Sequence, residues 1–183
     1  PPYPLRCSAD PNPYASLVQG SDGNFYGTTS QGGASDAGTV FKITPGGSLT
    51  ALHDFSYSDG AHPYAGLVQG SDGNFYGTTG YGGASDAGTV FKITPGGSLT
   101  SLYNFNNSDG AIPSGALVQG SDGNFYATTC YGGISGAGTV FKISSGGSLT
   151  TLYNFNYGDG AIPFGALVQS GGNFYGTTGY GGT

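Results

Sequence analysis

The sequence has no glutamate, methionine or tryptophan, and it carries four basic residues against ten acidic ones, all of them aspartate. Three of the basic residues are isolated lysines, one in each repeat of the chain: Lys42, Lys92 and Lys142. Nucleic acids and anionic membrane surfaces are bound through clustered positive charge. A net charge of −6 without a basic cluster therefore argues against both kinds of partner.

Long apolar segments are also missing, since no run approaches the roughly 20 residues that cross a bilayer. The first residues, Pro1-Pro2-Tyr3-Pro4, contain neither an initiator methionine nor the apolar core of a signal peptide. These absences predict no membrane insertion and favour a mature or fragmentary product. No segment has the apolar period of an amphipathic helix, which favours strands throughout.

Only two cysteines are present, Cys7 and Cys130, and neither belongs to a C-x-x-C pair. Zinc sites and dithiol redox sites require such closely spaced cysteines, so we expect no metal and no cofactor. The two thiols could form one long-range disulfide, or they could be unrelated buried side chains.

The chain is instead rich in glycine, tyrosine and phenylalanine, and it repeats itself. Residues 17–50 and 67–100 differ only where Ser30 and Gln31 are replaced by Gly80 and Tyr81. A third copy covers 117–150, and a fourth begins at Leu167. A period of about 50 residues predicts stacked or radially arranged supersecondary units. We divide the single repeat domain, 1–183, into an N-terminal segment 1–13, repeats at 14–63, 64–113 and 114–163, and a partial repeat at 164–183.

Each repeat has the pattern of four short antiparallel strands. In the second copy, Asp72-Gly73 and Pro95-Gly96-Gly97 are typical of hairpin turns, and residues 89–94 alternate in hydrophobicity. This pattern predicts an all-β fold, a β-propeller of four-stranded antiparallel blades, over the alternative of a β-solenoid with its shorter parallel coils. Only two strands of a fourth blade are present, so we expect about four blades, the last one incomplete or completed by the N-terminal segment or a neighbouring chain.

Three sequence blocks recur in register: Asp-Gly-Asn-Phe-Tyr-Gly-Thr-Thr, Gly-Thr-Val-Phe-Lys-Ile and Gly-Gly-Ser-Leu-Thr. Through these blocks the chain resembles the GloVer tandem repeat of bacterial choice-of-anchor proteins, from Tyr14 onward. The resemblance implies an extracellular or cell-surface bacterial repeat protein, without an established catalytic role.

Near-identical blades place the same side chains around a ring, whereas catalysis requires unlike residues at one point. The residues that break the symmetry are few: Arg6, Cys7, Cys130, His53 and His62. Tyr103 and Ile112 occupy the two histidine positions in the second repeat, which favours packing or surface roles for the histidines. We therefore predict no catalytic residue and no enzyme. The Gly-Ser-Asp-Gly-Asn turns contain one carboxylate each, too few oxygen ligands for calcium.

The copies differ mainly in the loops between second and third strands and in the connections between blades. We interpret the variable loops as an interaction face; unconstrained drift is the alternative. The candidate residues of this interaction face are Asn12, Tyr14, Gln31, His62, Tyr64, Tyr81, Tyr131 and Tyr180. Exposed tyrosines suit both sugars and proteins as partners. The preferred function is a structural or adhesive surface module that assembles into homo-oligomers or filaments, and the alternative is a multivalent glycan-binding propeller.

Overall fold

The computed structural model describes residues 15–182, and within them every regular element is a strand. The strands are β1 (Val18–Gln19), β2 (Phe25–Thr29), β3 (Thr39–Ile43), β4 (Leu49–Asp54), β5 (Val68–Gln69), β6 (Phe75–Thr79), β7 (Thr89–Ile93), β8 (Leu99–Asn104), β9 (Val118–Gln119), β10 (Phe125–Thr129), β11 (Thr139–Ile143), β12 (Leu149–Asn154), β13 (Val168–Ser170) and β14 (Asn173–Tyr175). No helix that is long and apolar enough to cross a membrane occurs in this part of the chain.

The strands form four separate sheets, each with its strands in sequence order. Blade 1 is β1–β4, blade 2 is β5–β8 and blade 3 is β9–β12, while blade 4 consists of β13 and β14 within the described residues. All pairings are antiparallel. The predicted all-β propeller architecture is confirmed, and the antiparallel meanders exclude the parallel coils of a solenoid.

Local sequence explains the turns and the strand register. Gly73 has a φ of +80°, and its N–H donates to Gly70 O at 2.9 Å, which closes the hairpin between β5 and β6. In β7, residues 91 and 93 face one side of the sheet and residues 90 and 92 the other, as the alternation predicts. A bulge between Val90 and Phe91 shifts the register against β8, and the same bulge recurs in blades 1 and 3.

Blades pack face to face through aromatic side chains. Tyr26 of blade 1 stacks on Phe75 of blade 2 with ring centroids 3.9 Å apart, within a buried cluster that includes Phe55 and Phe91. The equivalent pair of blades 2 and 3, Tyr76 and Phe125, stacks at 4.0 Å. We call the side of each blade that carries its second-strand tyrosine the back face and the opposite side the front face. The core is therefore a series of interfaces between one back face and the next front face.

Candidate functional site

The strands run alternately up and down, so each blade has two kinds of connection at opposite ends. The hairpins β1–β2 and β3–β4, with their equivalents, form what we call the turn face. The loops between second and third strands and the connections between blades form the loop face. The predicted interaction residues that the structure describes all lie on the loop face, while Asn12 and Tyr14 lie outside the described residues.

Backbone hydrogen bonds hold the loop face together. The connection from blade 1 to blade 2 exchanges two bonds with the blade 2 loop, Ala61 N–H to Tyr81 O at 2.7 Å and Tyr81 N–H to Ala61 O at 3.0 Å. The His62 N–H donates to Ala37 O at 2.7 Å and ties the same connection to the loop of blade 1. These bonds recur at the next connections, through Ala111 and Ala161. Because backbone atoms make them, the side chains here can differ between copies without loosening the fold.

His62 lies in an aromatic group on this face. Its ring is 6.4 Å from Tyr64 in a stacked arrangement and 5.9 Å from Tyr81, edge to face. Nδ1 is 2.7 Å from Ser30 O, which requires a proton on this nitrogen, and Nε2 is within hydrogen-bond distance of the Tyr57 hydroxyl, at 3.1 Å. Both ring nitrogens are thus engaged, and the geometry makes His62 a structural part of the aromatic group.

The connections have a left-handed backbone conformation at two recurring positions, that of Tyr57 and that of His62. His62, Ile112 and Ile162 have φ values of +52°, +53° and +54°. This left-handed region is unfavourable for β-branched isoleucine. Since the value is the same for all three side chains, the path of the connection imposes it, and the flanking backbone hydrogen bonds maintain it.

A pocket of about 430 Å³ opens on the loop face at blade 3. Its lining comes from blades 2, 3 and 4 and consists of Tyr64, Tyr81, Ile112, Ser114, Cys130, Tyr131 and Phe164. Cys130 is fully buried, whereas Tyr131 and Phe164 are 41% and 53% exposed, so the aromatic rings form an open rim over a closed base. None of the lining residues carries a formal charge.

The structure brings together three of the predicted residues, Tyr64, Tyr81 and Tyr131, in this pocket, with His62 packed against the first two. Tyr180 lies apart from the pocket lining and is exposed. Gln31 lies at the position of Tyr81 in blade 1 and is half-buried. That these residues bind a partner stays a prediction.

Four pocket residues were not among the predicted ones: Ile112, Ser114, Cys130 and Phe164. Each occupies a position at which the copies differ, and this variation was the signal available in the sequence. The prediction selected tyrosines together with Asn12, Gln31 and His62, although other residues at the variable positions also shape the pocket.

Cys130 is a free, buried thiol in the part of the chain that the structure describes, and the disulfide with Cys7 stays a prediction. Its Sγ donates to Pro163 O at 3.4 Å, and burial raises the pKa of the thiol. Cys7, the other half of that disulfide, lies outside the described residues. The neutral, inert form of Cys130 follows from its dry surroundings.

The turn face has a different organisation, in which one carboxylate organises each first hairpin. Asp72 Oδ2 accepts hydrogen bonds from the Tyr76 hydroxyl at 2.8 Å and from Asn74 Nδ2 at 2.7 Å, while Oδ1 accepts from the Asn74 N–H at 3.1 Å. Burial disfavours the charged carboxylate, but the hydrogen bonds outweigh it and lower the pKa of Asp72. Burial, together with the bond to the carboxylate, raises the pKa of the equivalent blade 1 tyrosine, Tyr26, to about 12.

Side chains also join neighbouring blades on the turn face. Gln69 Oε1 in blade 2 accepts a hydrogen bond from the Ser21 N–H of blade 1 at 2.9 Å, and Gln119 makes the same bond to Ser71 at 3.1 Å. These bonds fix each blade to the first hairpin of the preceding one.

Among the other titratable groups, His53 Nε2 pairs with Asp59 Oδ2 at 2.8 Å. In the next repeat the Tyr103 hydroxyl donates to Asp109 at 2.5 Å, so the histidine replaces a tyrosine hydroxyl in a recurring structural contact. Within residues 15–182, no group of three or more His, Cys, Asp or Glu side chains could hold a metal ion.

The outermost blade faces are only partly covered. In blade 2 the front-face residues Phe75 and Phe91 are fully buried under blade 1. Their blade 1 equivalents, Phe25 and Phe41, are half-buried. At the other end, Tyr175 occupies the repeat position of Tyr76 but is 57% exposed. The repeat aspartate is replaced by glycine there, so Tyr175 has no equivalent of the Asp72 partner.

The solved structures similar to this one include enzymes. A streptogramin B lyase matches with a TM-score of 0.67 at 20% identity over 96% of this chain, and the virginiamycin B lyase of Staphylococcus aureus matches with 0.64 at 20% over 93%. The chain spans 50% of the length of each. No curated protein sequence matches the chain.

These structures contradict the prediction that the chain is not an enzyme. That prediction assumed that similar blades exclude a catalytic centre, but a propeller framework can carry unlike residues on the loops of individual blades. The loop face described above is an example, because its loops differ in sequence although the blades that carry them are nearly identical. At 20% identity the likeness shows the fold alone, and no catalytic residue can be transferred from it.

The sequence family agrees with the fold. The Gloeobacter/Verrucomicrobia repeat matches the chain over residues 4–183, which confirms the resemblance found from the repeated blocks. The chain therefore belongs to the Gloeobacter/Verrucomicrobia repeat family.

Proposed function

We propose that this chain is a structural, adhesive module of a bacterial surface protein, which associates with further copies of itself through its outermost blade faces. The observation that carries the proposal is the contrast between the faces where blades 1, 2 and 3 meet, whose stacked rings are fully buried, and the equivalent residues at the two ends, which are exposed or half-buried.

The two ends are complementary because they are the two halves of one repeated contact. Inside the molecule, a tyrosine of one blade stacks on a phenylalanine of the next at 3.9 to 4.0 Å in three successive interfaces. Tyr175 at one end and Phe25 at the other hold the unfilled positions of this series. A second copy placed head to tail would repeat a contact that the sequence already favours three times.

The free edge of blade 4 supports the same mode of association. Within the described residues this sheet contains β13 and β14, and β14 has one strand neighbour, whereas its equivalents β2, β6 and β10 each have two. An unpaired strand edge offers backbone donors and acceptors to another strand. Further repeats in the same polypeptide would fill these positions in the same way as a second copy.

A surface location is supported by the resemblance to choice-of-anchor proteins and by a composition that is poor in charged residues and rich in Gly, Ser, Thr and Asn. A mostly neutral surface with aromatic side chains suits adhesive contacts, in which apolar area and hydrogen bonds contribute together.

The test measures particle mass by multi-angle light scattering across a range of concentrations, for the unmodified chain and for two aspartate variants. Tyr175→Asp places a charge at the open blade face, and Tyr180→Asp places one on the loop face at a residue that is 65% exposed. We expect concentration-dependent oligomers that Tyr175→Asp abolishes and Tyr180→Asp leaves intact. A chain that is monomeric at every concentration, or oligomers indifferent to Tyr175→Asp, would overturn the proposal.

A further inference from the structure

In blades 2, 3 and 4, one pair of positions on the loop face has a compensating pattern of large and small residues. In blade 2 the ring of Tyr64 covers Gly80, and a Cβ added to this glycine would lie 2.5 Å from the ring. In blade 4 the ring of Phe164 covers Gly179 in the same way, at 3.2 Å. Neither glycine has a positive φ, so the backbone conformation does not require glycine there. At Gly80 the Tyr64 ring is the nearest obstacle to a Cβ, and at Gly179 the Phe164 ring limits the space together with Ile162 O at 3.0 Å.

Blade 3 has the reverse arrangement. Ser114 replaces the aromatic residue and Cys130 replaces the glycine. The thiol fits because no ring lies over it, and its side chain is fully buried. Serine and cysteine together are smaller than tyrosine and glycine, so the exchange removes a ring from the loop face and only partly refills the space. The 430 Å³ pocket lies at this position, with Ser114 and Cys130 both in its lining.

The pocket thus occupies the position of a missing aromatic ring, between the rings of its neighbours. Tyr64 precedes it and Phe164 follows it around the propeller, and Tyr81 and Tyr131 complete the aromatic lining. Its volume falls in the range of about 300 to 1,000 Å³ that small-molecule sites occupy. A six-membered ring of similar size is the natural complement of a gap left by a ring.

The polar groups of the pocket are hydroxyls. Ser114 Oγ makes a long hydrogen bond of 3.3 Å to Ile112 O, and the tyrosines bring phenolic hydroxyls on rings that also offer apolar faces. Such a lining can pack against C–H groups and exchange hydrogen bonds with hydroxyls in the same ligand. Charged ligands are disfavoured, because the lining has no charged partner and the chain as a whole is acidic.

We propose that this pocket is a carbohydrate site, which takes one neutral pyranose ring of a glycan in the place of the missing aromatic ring. The sugar ring packs against the aromatic walls, and its hydroxyls bond to Ser114 and to the tyrosine hydroxyls. The Ser114–Cys130 exchange is the determinant of the site, since it distinguishes blade 3 from blades 2 and 4. The site is on the loop face and is independent of the blade faces proposed for self-association.

The experiment rebuilds the pair found in blade 2. The double variant Ser114→Tyr with Cys130→Gly fills the pocket with a ring over a glycine, an arrangement that the fold already accommodates at Tyr64 and Gly80. Ser145→Tyr, an exposed position on the turn face, is the matched control that adds a tyrosine elsewhere. Methyl glycosides of glucose, galactose, mannose and N-acetylglucosamine are the probes, and glucuronate and phenol are included for comparison. Binding is measured by saturation-transfer difference NMR, and thermal unfolding checks the fold of each variant.

We expect transfer to the ring protons of at least one neutral glycoside with the unmodified chain and with Ser145→Tyr, and loss of the transfer in the double variant at an unchanged melting temperature. Transfer that survives in the double variant would overturn the site. Saturation transfer to phenol or glucuronate but to none of the neutral glycosides would overturn the proposal that the ligand is a neutral sugar. The absence of transfer to every probe would overturn it as well. If the double variant unfolds, the milder Ser114→Thr narrows the pocket by one methyl group, and unchanged transfer in it would also count against the site.

Discussion

The turn face and the loop face are built on the same blades, yet different atoms make the main contacts between neighbouring blades on the two faces. On the turn face, side chains make the connections: Asp72 collects three hydrogen bonds and Gln69 reaches the neighbouring hairpin. On the loop face, backbone groups tie Ala61 and His62 to the loops on both sides. A face that depends on particular side chains must keep them, whereas a face that depends on the backbone can change its side chains and acquire new surfaces.

The distribution of differences between copies follows this division. Asp22, Asp72 and Asp122 all carry the same hydrogen bonds, while the loop-face position 64 is tyrosine, its equivalent 114 is serine and 164 is phenylalanine. The comparison also explains why the pocket is on the loop face: exchange of a ring for a serine there costs no backbone hydrogen bond.

The largest effect is expected from the tyrosine that joins the turn-face hydrogen bonds to the core. Tyr76→Ala removes the stack on Phe125 and the bond to Asp72, and should lower the free energy of unfolding by about 3 to 5 kcal/mol. Urea denaturation measures this change. Tyr76→Phe, which keeps the ring, is the matched control and should cost about 1 kcal/mol. Equal losses in the two variants would mean that the stack contributes little.

Removal of the turn-face carboxylate itself should have a smaller effect. Asp72→Ala deletes three hydrogen bonds at an exposed site, and we expect a loss of about 1 to 2 kcal/mol in the free energy of unfolding. The loop-face comparison is Asp86→Gly, a change that the third copy already contains as Gly136, and it should stay within about 0.5 kcal/mol. A reversed order of these two effects in urea denaturation would contradict the division between the faces.

Acid should weaken the turn face first. Hydrogen bonds from Tyr26 and Asn24 lower the pKa of Asp22 below its ordinary value of 3.8, and bonds from Asn124 and Tyr126 do the same for Asp122. A carboxyl group with a lowered pKa stabilises the folded state fully above the unfolded value and loses this contribution as pH falls through the folded value. The urea midpoint should therefore be steady above about pH 5 and fall below about pH 4. Asn replacements at Asp22, Asp72 and Asp122 together should flatten the fall, and an equally steep fall would assign it to other groups.

The smallest effect on stability is expected on the loop face. Tyr131→Ala truncates a rim residue of the pocket that is 41% exposed, and the free energy of unfolding should change by no more than about 0.5 kcal/mol. The Tyr131 N–H and carbonyl oxygen keep their bonds to Ala111 in this variant. A loss of about 2 kcal/mol or more in urea denaturation would show that side chains stabilise this face after all.

The blades could be predicted because their determinants are local. Asp72-Gly73 and Pro95-Gly96-Gly97 specify hairpins within a few residues, and the alternation of residues 89–94 assigns its two faces. The same repetition misled the prediction about enzymes, since it describes the framework and says nothing about loops that differ. The pocket could not be predicted from the repeats either. Its residues Tyr64, Ser114 and Phe164 are separated by whole repeats and come together only when the blades lie side by side.

The sequence by itself determined the repeat, the antiparallel blade and the family, because hairpin turns and strand alternation act between residues that are close along the chain. Only the tertiary structure decided which variable residues share a surface, that Cys130 is a buried free thiol, and that a missing ring at Ser114 becomes a pocket. The physical reason is that a cavity is a property of packing between blades: its shape depends on the side chains of three repeats at once, and no single repeat contains it.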